Sequence, residues 1–77
     1  MQVIIEDYFK NHSQALLFVD LINTIIAARD EKTLREGMYD LSRRHYTFDN
    51  TFVVGFGHNH MWVNEKRSRH RLLIVNF

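Results

Sequence analysis

The residues best suited to binding chemistry gather in the last third of the chain, where two histidines, the one tryptophan and four cations follow each other. They are His58, His60, Trp62, Lys66, Arg67, Arg69 and Arg71. Guanidinium groups bind phosphates, and both guanidinium planes and aromatic rings stack on unpaired bases. This combination favours binding of single-stranded nucleic acid, and of RNA above all.

The charge of the chain is unevenly distributed. Residues 51–77 carry four Lys or Arg against Glu65 alone, which leaves them at +3, whereas the whole chain carries only +1. Two further cations, Arg43 and Arg44, end a helical pattern and would extend a phosphate-binding track. The competing interpretation is that these two only interact with the carbonyl end of their helix and with solvent.

Periodicity predicts a strand and two helices in the first part of the chain. Gln2–Phe9 alternates weakly between apolar and polar residues, which indicates a short strand. The run Gln14–Arg29 has helical spacing of apolar residues, and Ser13 is its expected N-cap. A second helix begins after Asp30, its expected N-cap, and ends near Arg44.

The remainder of the chain predicts a β-hairpin. After a turn over residues 47–50, Thr51–Val63 and Arg69–Phe77 are rich in β-branched and aromatic residues, and the polar residues 64–68 separate them. The sequence therefore predicts one α+β domain over residues 1–77, in the order β-α-α-β-β. Its three-stranded, mostly antiparallel sheet carries both helices on one face, which leaves the other face for solvent or a ligand.

Alternate residues of a strand share a face, so we expect one side of the predicted strand to carry Phe52, Val54, Phe56, His58, His60 and Trp62. The register of the hairpin decides which residues of the returning strand lie opposite them. A two-residue loop sets Trp62 opposite Arg69 and His60 opposite Arg71, and so makes a face that is aromatic and cationic toward its tip. The competing interpretation assigns Phe52, Phe56 and Trp62 to the hydrophobic core, with the arginines serving only to keep an edge hairpin soluble.

A three-residue loop brings His58, His60 and His70 to one side, with Trp62 opposite His70. Neutral imidazoles in that arrangement can bind Zn²⁺, and an open coordination position can activate water. However, the motif His-x-His is short and common by chance, and Glu65 is the only carboxylate in the hairpin that could orient the rings. We expect neither a metal nor another cofactor.

The sequence offers little for catalysis. His58 and His60 could act as general acid and base in RNA cleavage, because histidine titrates near neutral pH. The carboxylates of Asp7, Asp20 and Asp40 have the spacing of isolated surface groups rather than of a paired site. The chain has no cysteine, which excludes a thiol nucleophile and disulfides. We expect a protein that is not an enzyme.

Two glycines, Gly55 and Gly57, fall on one side of the predicted strand. Because they lack a Cβ, they allow a backbone, a helix or a ligand to approach closely, and helix packing is the commonest reason for such a pattern.

Location and partners follow from the apolar segments. The N-terminal residues do not have the pattern of a signal peptide, and Asp20, Asn23 and Thr24 interrupt the longest apolar run, so we expect a cytoplasmic protein without a membrane partner. The broad apolar stripe of the first helix and the run Leu72–Phe77 favour self-association, with a homodimer as the default.

The function that this sequence predicts is that of a small accessory or regulatory protein that binds RNA or single-stranded nucleic acid. The alternative is a small protein-binding inhibitor or adaptor, of the kind that phages and mobile elements encode, which blocks a target protein such as a nuclease or a toxin. In that alternative the hairpin or an open sheet edge docks on the target.

Overall fold

The computed structural model describes residues 1–9 and 11–77. These residues divide into two units. Residues 1–9 and 49–77 form one unit, which contains every strand and is called the sheet unit below. The described residues 11–48 form the other, called the helical unit.

The sheet unit contains four strands where the sequence predicted three. They are β1 (Gln2–Ile5), β2 (Phe52–Gly57), β3 (His60–Glu65) and β4 (Arg71–Asn76). They form one antiparallel sheet in the order β1-β4-β3-β2. The predicted α+β class is confirmed, and the difference is that the single strand expected over Thr51–Val63 folds back on itself.

The reversal occurs at His58 and Asn59, the two residues between β2 and β3. Asn59 has φ of 62°, and asparagine is one of the few residues besides glycine that adopts this left-handed conformation readily. The Asn59 carbonyl also accepts a hydrogen bond of 2.9 Å from the backbone N–H of Phe77. A two-residue turn thus replaces the middle of the predicted strand.

One face of the sheet is buried. Phe52, Met61, Val63, Leu73 and Val75 are each no more than 5% exposed. Directly paired residues share a face, and the pairs Phe56–Met61, Val54–Val63 and Val63–Leu73 assign this set to one side. A bulge between Val63 and Asn64 shifts the β3–β4 register, and the extra residue on β4, Leu72, is buried as well.

The helical unit consists of a short 3₁₀ helix and two α-helices. The 3₁₀ helix (His12–Gln14) precedes α1 (Ala15–Ala27), and α2 spans Glu31–Arg44. Leu17, Leu21 and Ile25 of α1 are buried, as are three residues of α2 with the predicted spacing, namely Leu34, Met38 and Leu41. Among the described residues, none of the helices combines the length and apolar character that crossing a membrane requires.

The helix caps agree with the sequence in one case and differ in the other. Asp30 caps α2, as predicted, by accepting a hydrogen bond of 2.9 Å from the Thr33 N–H. Thr33 completes a capping box, since its hydroxyl accepts from the Asp30 N–H at 3.1 Å. Ser13 is not the N-cap of α1; Asn11 caps the preceding 3₁₀ helix, with its side chain accepting from the Ser13 N–H.

A third, four-residue helix, α3 (Phe48–Thr51), occupies the segment for which a turn was expected. The backbone carbonyl oxygens of Asp49 and Thr51, at this helix, accept hydrogen bonds from Lys66. These two bonds hold the start of the loop between β3 and β4 against α3.

Candidate nucleic-acid interface

The second face of the sheet, called the open face here, is less buried than the first. It is defined by three cross-strand pairs between β2 and β3: Val53 with Asn64, Gly55 with Trp62, and Gly57 with His60. Val53 is 44% exposed, and the other five residues are half-buried. The predicted row that joined Phe52, Val54 and Phe56 to His60 and Trp62 is wrong, because the two-residue turn brings the opposite set of β2 residues to the side of Trp62.

The two aromatic rings of the open face lie on the two glycines. A Cβ built on Gly55 would overlap the indole of Trp62, and one built on Gly57 would overlap the imidazole of His60. The two rings also contact each other, with centroids 5.3 Å apart and planes inclined by 33°. Gly55 and Gly57 therefore allow the close approach predicted for them, but the groups that approach are side chains of the neighbouring strand.

Phe52 and Trp62 lie on opposite faces of the sheet. Phe52 is 3% exposed and belongs to the core, whereas Trp62 is half-buried on the opposite face. The ring atoms nearest to Gly55 are Cε2, Cζ2 and Nε1 of the indole. The part of the ring that stays accessible can contact a flat ligand.

His60 has its tautomer set by the backbone. Its Nδ1 lies 2.9 Å from the carbonyl oxygen of His58. Because a carbonyl oxygen can only accept, Nδ1 must donate, and in the neutral ring Nε2 is then an acceptor. His58 itself is exposed in the β2–β3 turn, so its backbone positions His60 while its imidazole is open to solvent.

The loop between β3 and β4, Lys66–His70, is called the basic loop. Lys66 anchors it: its backbone N–H donates to the Thr51 carbonyl at 2.9 Å, and its ammonium donates to the Asp49 carbonyl at 2.9 Å. Across the base of the loop, the Glu65 N–H donates to the His70 carbonyl at 2.8 Å. These bonds give the loop a defined shape, and they use one of the three donors of the Lys66 ammonium.

Three arginines at this end of the sheet have no acidic partner among residues 1–9 and 11–77. Arg67 and Arg69 lie in the basic loop, Arg71 is the first residue of β4, and all three are exposed. Arg69 has φ of 58°, which is unfavourable for a residue with a Cβ. The register pairs Arg71 with Asn64, which assigns it to the side of Trp62. These guanidinium groups can take phosphates.

Both predicted hairpin registers are wrong. Trp62 is paired with Ile74, rather than with Arg69 or His70, and His60 is paired with Asn76. The reason is the loop, which spans five residues where the sequence analysis allowed two or three. The arginines consequently lie at the end of the sheet, beyond the aromatic rings, instead of directly opposite them.

The three-histidine arrangement is also wrong. His58 lies in the β2–β3 turn and His60 beside it, whereas His70 follows β3 in the loop at the other end of that strand. His70 bonds a carboxylate instead, with its Nε2 lying 2.6 Å from Oδ2 of Asp7. Within the described part of the chain, no group of three or more His, Asp or Glu could hold a metal.

The two helical cations, Arg43 and Arg44, belong to the helical unit. Arg43 has its guanidinium carbon 5.6 Å from the centroid of the Tyr39 ring, a cation–π distance. Arg44, with Asp40, borders an open hollow on α2. Both occupy the last turn of the helix, as predicted, and their part in a phosphate track stays a prediction.

A hollow that no sequence pattern indicates lies between the open face and the basic loop. Its volume is about 310 Å³. It is lined by Val53, Asn64, Glu65, Lys66 and Arg69. Nothing in the sequence singles out Asn64, because its position on the open face follows only from its cross-strand pairing with Val53. Recognition of His58–Asn59 as a turn would have supplied that register.

Fold and site together define a small α+β protein that presents half-buried aromatic rings on a sheet face beside a loop of unpaired arginines. The chain belongs to a family described as a domain of unknown function (DUF8466), whose model matches residues 1–75. No curated protein and no solved structure matches the chain.

Proposed function

We propose that this protein is a non-enzymatic accessory or regulatory protein that binds RNA or single-stranded nucleic acid on the open face. The observation that carries the proposal is the pair of contacting, half-buried rings of His60 and Trp62, which lie against Gly57 and Gly55 on one face of the sheet. Any of the four bases can stack on such rings, and each stacked base contributes roughly 1–3 kcal/mol to the free energy of binding.

The arginines support the same proposal. Arg67, Arg69 and Arg71 are exposed without an acidic partner in the described part of the chain, so each can neutralise a phosphate. Such contacts release counterions, and affinity then falls as salt rises. Stacking on His60 and Trp62 together with phosphates at the basic loop describes a strand of nucleic acid that runs along β3 toward that loop.

The test is a fluorescence-anisotropy titration of a mixed-sequence single-stranded RNA at two salt concentrations. We expect salt-sensitive binding that weakens at least tenfold when Arg69 and Arg71 are both replaced by Ala, since each phosphate contact carries part of the affinity. The matched control, Arg29→Ala with Lys32→Ala, removes the same charge from the helical unit and should change affinity by less than threefold. Absence of binding at low salt would contradict the proposal.

We further propose that the protein acts in the cytoplasm as a homodimer that associates through α1. Leu16, Val19 and Ile26 follow helical spacing and are 82%, 52% and 69% exposed, respectively. The run Leu72–Phe77, the other segment expected to self-associate, supplies an inner strand with buried side chains instead. Light scattering should give a dimer mass for the natural chain and a monomer mass for Leu16→Glu with Ile26→Glu. A natural chain that is monomeric would contradict the dimer.

The second candidate function, an inhibitor or adaptor that docks on a protein, is favoured by the edge strand β1. Val3, Ile4 and Ile5 are 37–47% exposed, although successive residues of a strand point to opposite faces. Glu6 donates its N–H to the Leu72 carbonyl. Hydrogen-bonded and non-hydrogen-bonded residue pairs alternate along two antiparallel strands. The backbone N–H and C=O groups of Val3 and Ile5 therefore point away from β4 and can pair with another strand.

A substitution in β1 separates this candidate from the first. Val3→Pro removes an outward N–H and leaves the β1–β4 bonds in place. If the protein is an inhibitor, one stoichiometric protein partner should survive nuclease treatment and be lost from Val3→Pro, with RNA affinity unchanged. A partner that disappears with nuclease would count against the inhibitor.

A further inference from the structure

The face of the sheet that carries Trp62 continues onto the two other strands. The register pairs Trp62 of β3 with Ile74 of β4, and it pairs Ile74 with Ile4 of β1. Directly paired residues share a face, so these three side chains form one line across the sheet, called the cross-strand row. Neighbouring strands are about 4.8 Å apart, and the row therefore extends roughly 10 Å from Trp62 to Ile4.

The cross-strand row is partly accessible along its length. Trp62 and Ile74 are half-buried, and Ile4 is 38% exposed. On the opposite face of β3 and β4, by contrast, Met61 and Val75 are fully buried. The row is therefore an apolar and aromatic surface that the fold leaves open to a ligand.

Polar rows lie on both sides of the cross-strand row. Toward the β2–β3 turn, His60 is paired with Asn76 and Asn76 with Gln2, and Nδ2 of Asn76 donates to Oε1 of Gln2 at 3.4 Å. Toward the basic loop, Arg71 is paired with Asn64. An unpaired base has flat faces that stack and edges that form hydrogen bonds. An apolar row with hydrogen-bonding groups on either side matches that shape.

The charges at the end of the sheet indicate where the phosphates of such a ligand lie. Arg69 and Arg71 are exposed and have no acidic partner among residues 1–9 and 11–77. Glu6 follows β1 at the same end of the sheet, where its backbone N–H donates to the Leu72 carbonyl at 2.8 Å. Its exposed carboxylate repels a phosphate. We therefore expect phosphates at the arginines and a base at Ile4.

We propose that the cross-strand row is a second base-binding position. One base stacks on Trp62, and the neighbouring base lies over Ile74 and against Ile4. Apolar as well as aromatic side chains hold the face of an unpaired base. This inference rests on the proposed function, and it extends the interface from β2 and β3 across β4 to the edge strand β1.

The test measures the affinity of the full chain for single-stranded oligo(U) by fluorescence anisotropy. Ile4→Ala should weaken binding about fivefold, because it removes apolar surface that the second base buries. The matched control is Ile5→Ala, the same change on the same strand. Ile5 is paired with Leu73 and lies on the opposite face, so its replacement should change the affinity by less than about twofold.

A second pair of variants keeps the test independent of any loss of stability. Ile4→Tyr offers the second base an aromatic ring, on which bases stack more strongly, and should tighten binding roughly fivefold. Ile5→Tyr should not tighten it. A role of Ile4 in folding alone predicts no gain from the larger ring.

Unchanged RNA affinity in both Ile4 variants, or equal effects of the Ile4 and Ile5 variants, would overturn the second position. The proposed function would stand in that case if Trp62→Leu still weakened binding. Loss of a protein partner from Ile4→Ala with RNA affinity unchanged would assign Ile4 to the second candidate function and would also overturn the inference. If the natural chain binds no RNA, the proposed function fails with it.

Discussion

The indole of Trp62 lies against Gly55, its cross-strand neighbour, and occupies the space that a side chain at position 55 would need. The glycine therefore does not mark a weak strand; it makes room for the ring. The ring in turn covers a stretch of backbone that would otherwise be bare. This relationship connects the sequence pattern Gly-x-Gly with the exposed aromatic surface on which the proposed function depends.

Gly55→Ala tests that relationship. A methyl group at position 55 would overlap the indole, so we expect Trp62 to turn toward solvent and the free energy of unfolding to fall by about 1–3 kcal/mol. Trp62 is the only tryptophan, and a red shift of the fluorescence would report its exposure. Val53→Ala, on the same strand and face, is the control. Unchanged emission from Gly55→Ala would show that the ring does not lie where the structure has it.

We expect Arg69 to contribute to RNA binding and to lower the stability of the fold. Its φ of 58° is unfavourable for any residue with a Cβ, and relief of such strain is worth about 1 kcal/mol. Arg69→Gly should therefore raise the free energy of unfolding, measured with urea, and weaken RNA binding. Arg69→Ala keeps the strain and removes the same charge, so it should weaken RNA binding without raising the free energy of unfolding. If Arg69→Gly were less stable than the natural chain, the backbone conformation would be in doubt.

The α2 cap should make stability depend on pH. The hydrogen bond from the Thr33 backbone N–H lowers the pKa of Asp30 below 3.8. Since the folded protein favours the charged form of Asp30, the stabilisation by this carboxylate is complete at pH values above 3.8. It is lost as the pH falls through the lowered pKa that Asp30 has in the folded protein. The melting temperature of the natural chain should exceed that of Asp30→Ala at neutral pH, and the difference should shrink in acid. A constant difference would contradict the role of the charge.

The two helices of the helical unit are joined by Asp20 and His45. Nε2 of His45 lies 2.6 Å from Oδ2 of Asp20, and the pair is partly buried. Asp20→Ala should reduce the free energy of unfolding by roughly 1 kcal/mol, whereas Asp40→Ala, which removes an exposed carboxylate, should have little effect. In a double-mutant cycle with His45→Ala the two losses should not add. Additive losses would mean that the contact contributes nothing.

The sequence predicted best where local signals agree. The spacing of Leu34, Met38 and Leu41, with Asp30 as cap, predicted α2 almost to the residue, because capping and helical periodicity act within one element. The start of α1 was assigned wrongly because Asn11 and Ser13 are both good caps, and the 3₁₀ helix separates the cap from α1. Helix propensity alone does not reveal the 3₁₀ turn that precedes α1.

The sheet could be predicted only in part, since its register depends on contacts between distant residues. Turn residues His58 and Asn59 are embedded in a β-rich run without proline, so one long strand fitted the composition as well as a hairpin. His60 and Trp62 were rightly expected to share a face. The roles of Gly55 and Asn64 follow only from the cross-strand pairs, which change completely with a shift of one residue.

The most direct test of the account is the fluorescence of Trp62 during titration with single-stranded RNA. Because this is the only tryptophan, stacking of a base on the accessible part of its ring should quench the emission in step with binding, and added salt should reverse the quenching. Trp62→Leu should weaken binding by the energy of one stacked base, about 1–3 kcal/mol. Binding without any change in Trp62 emission, or with full affinity in Trp62→Leu, would contradict the open face as the nucleic-acid interface.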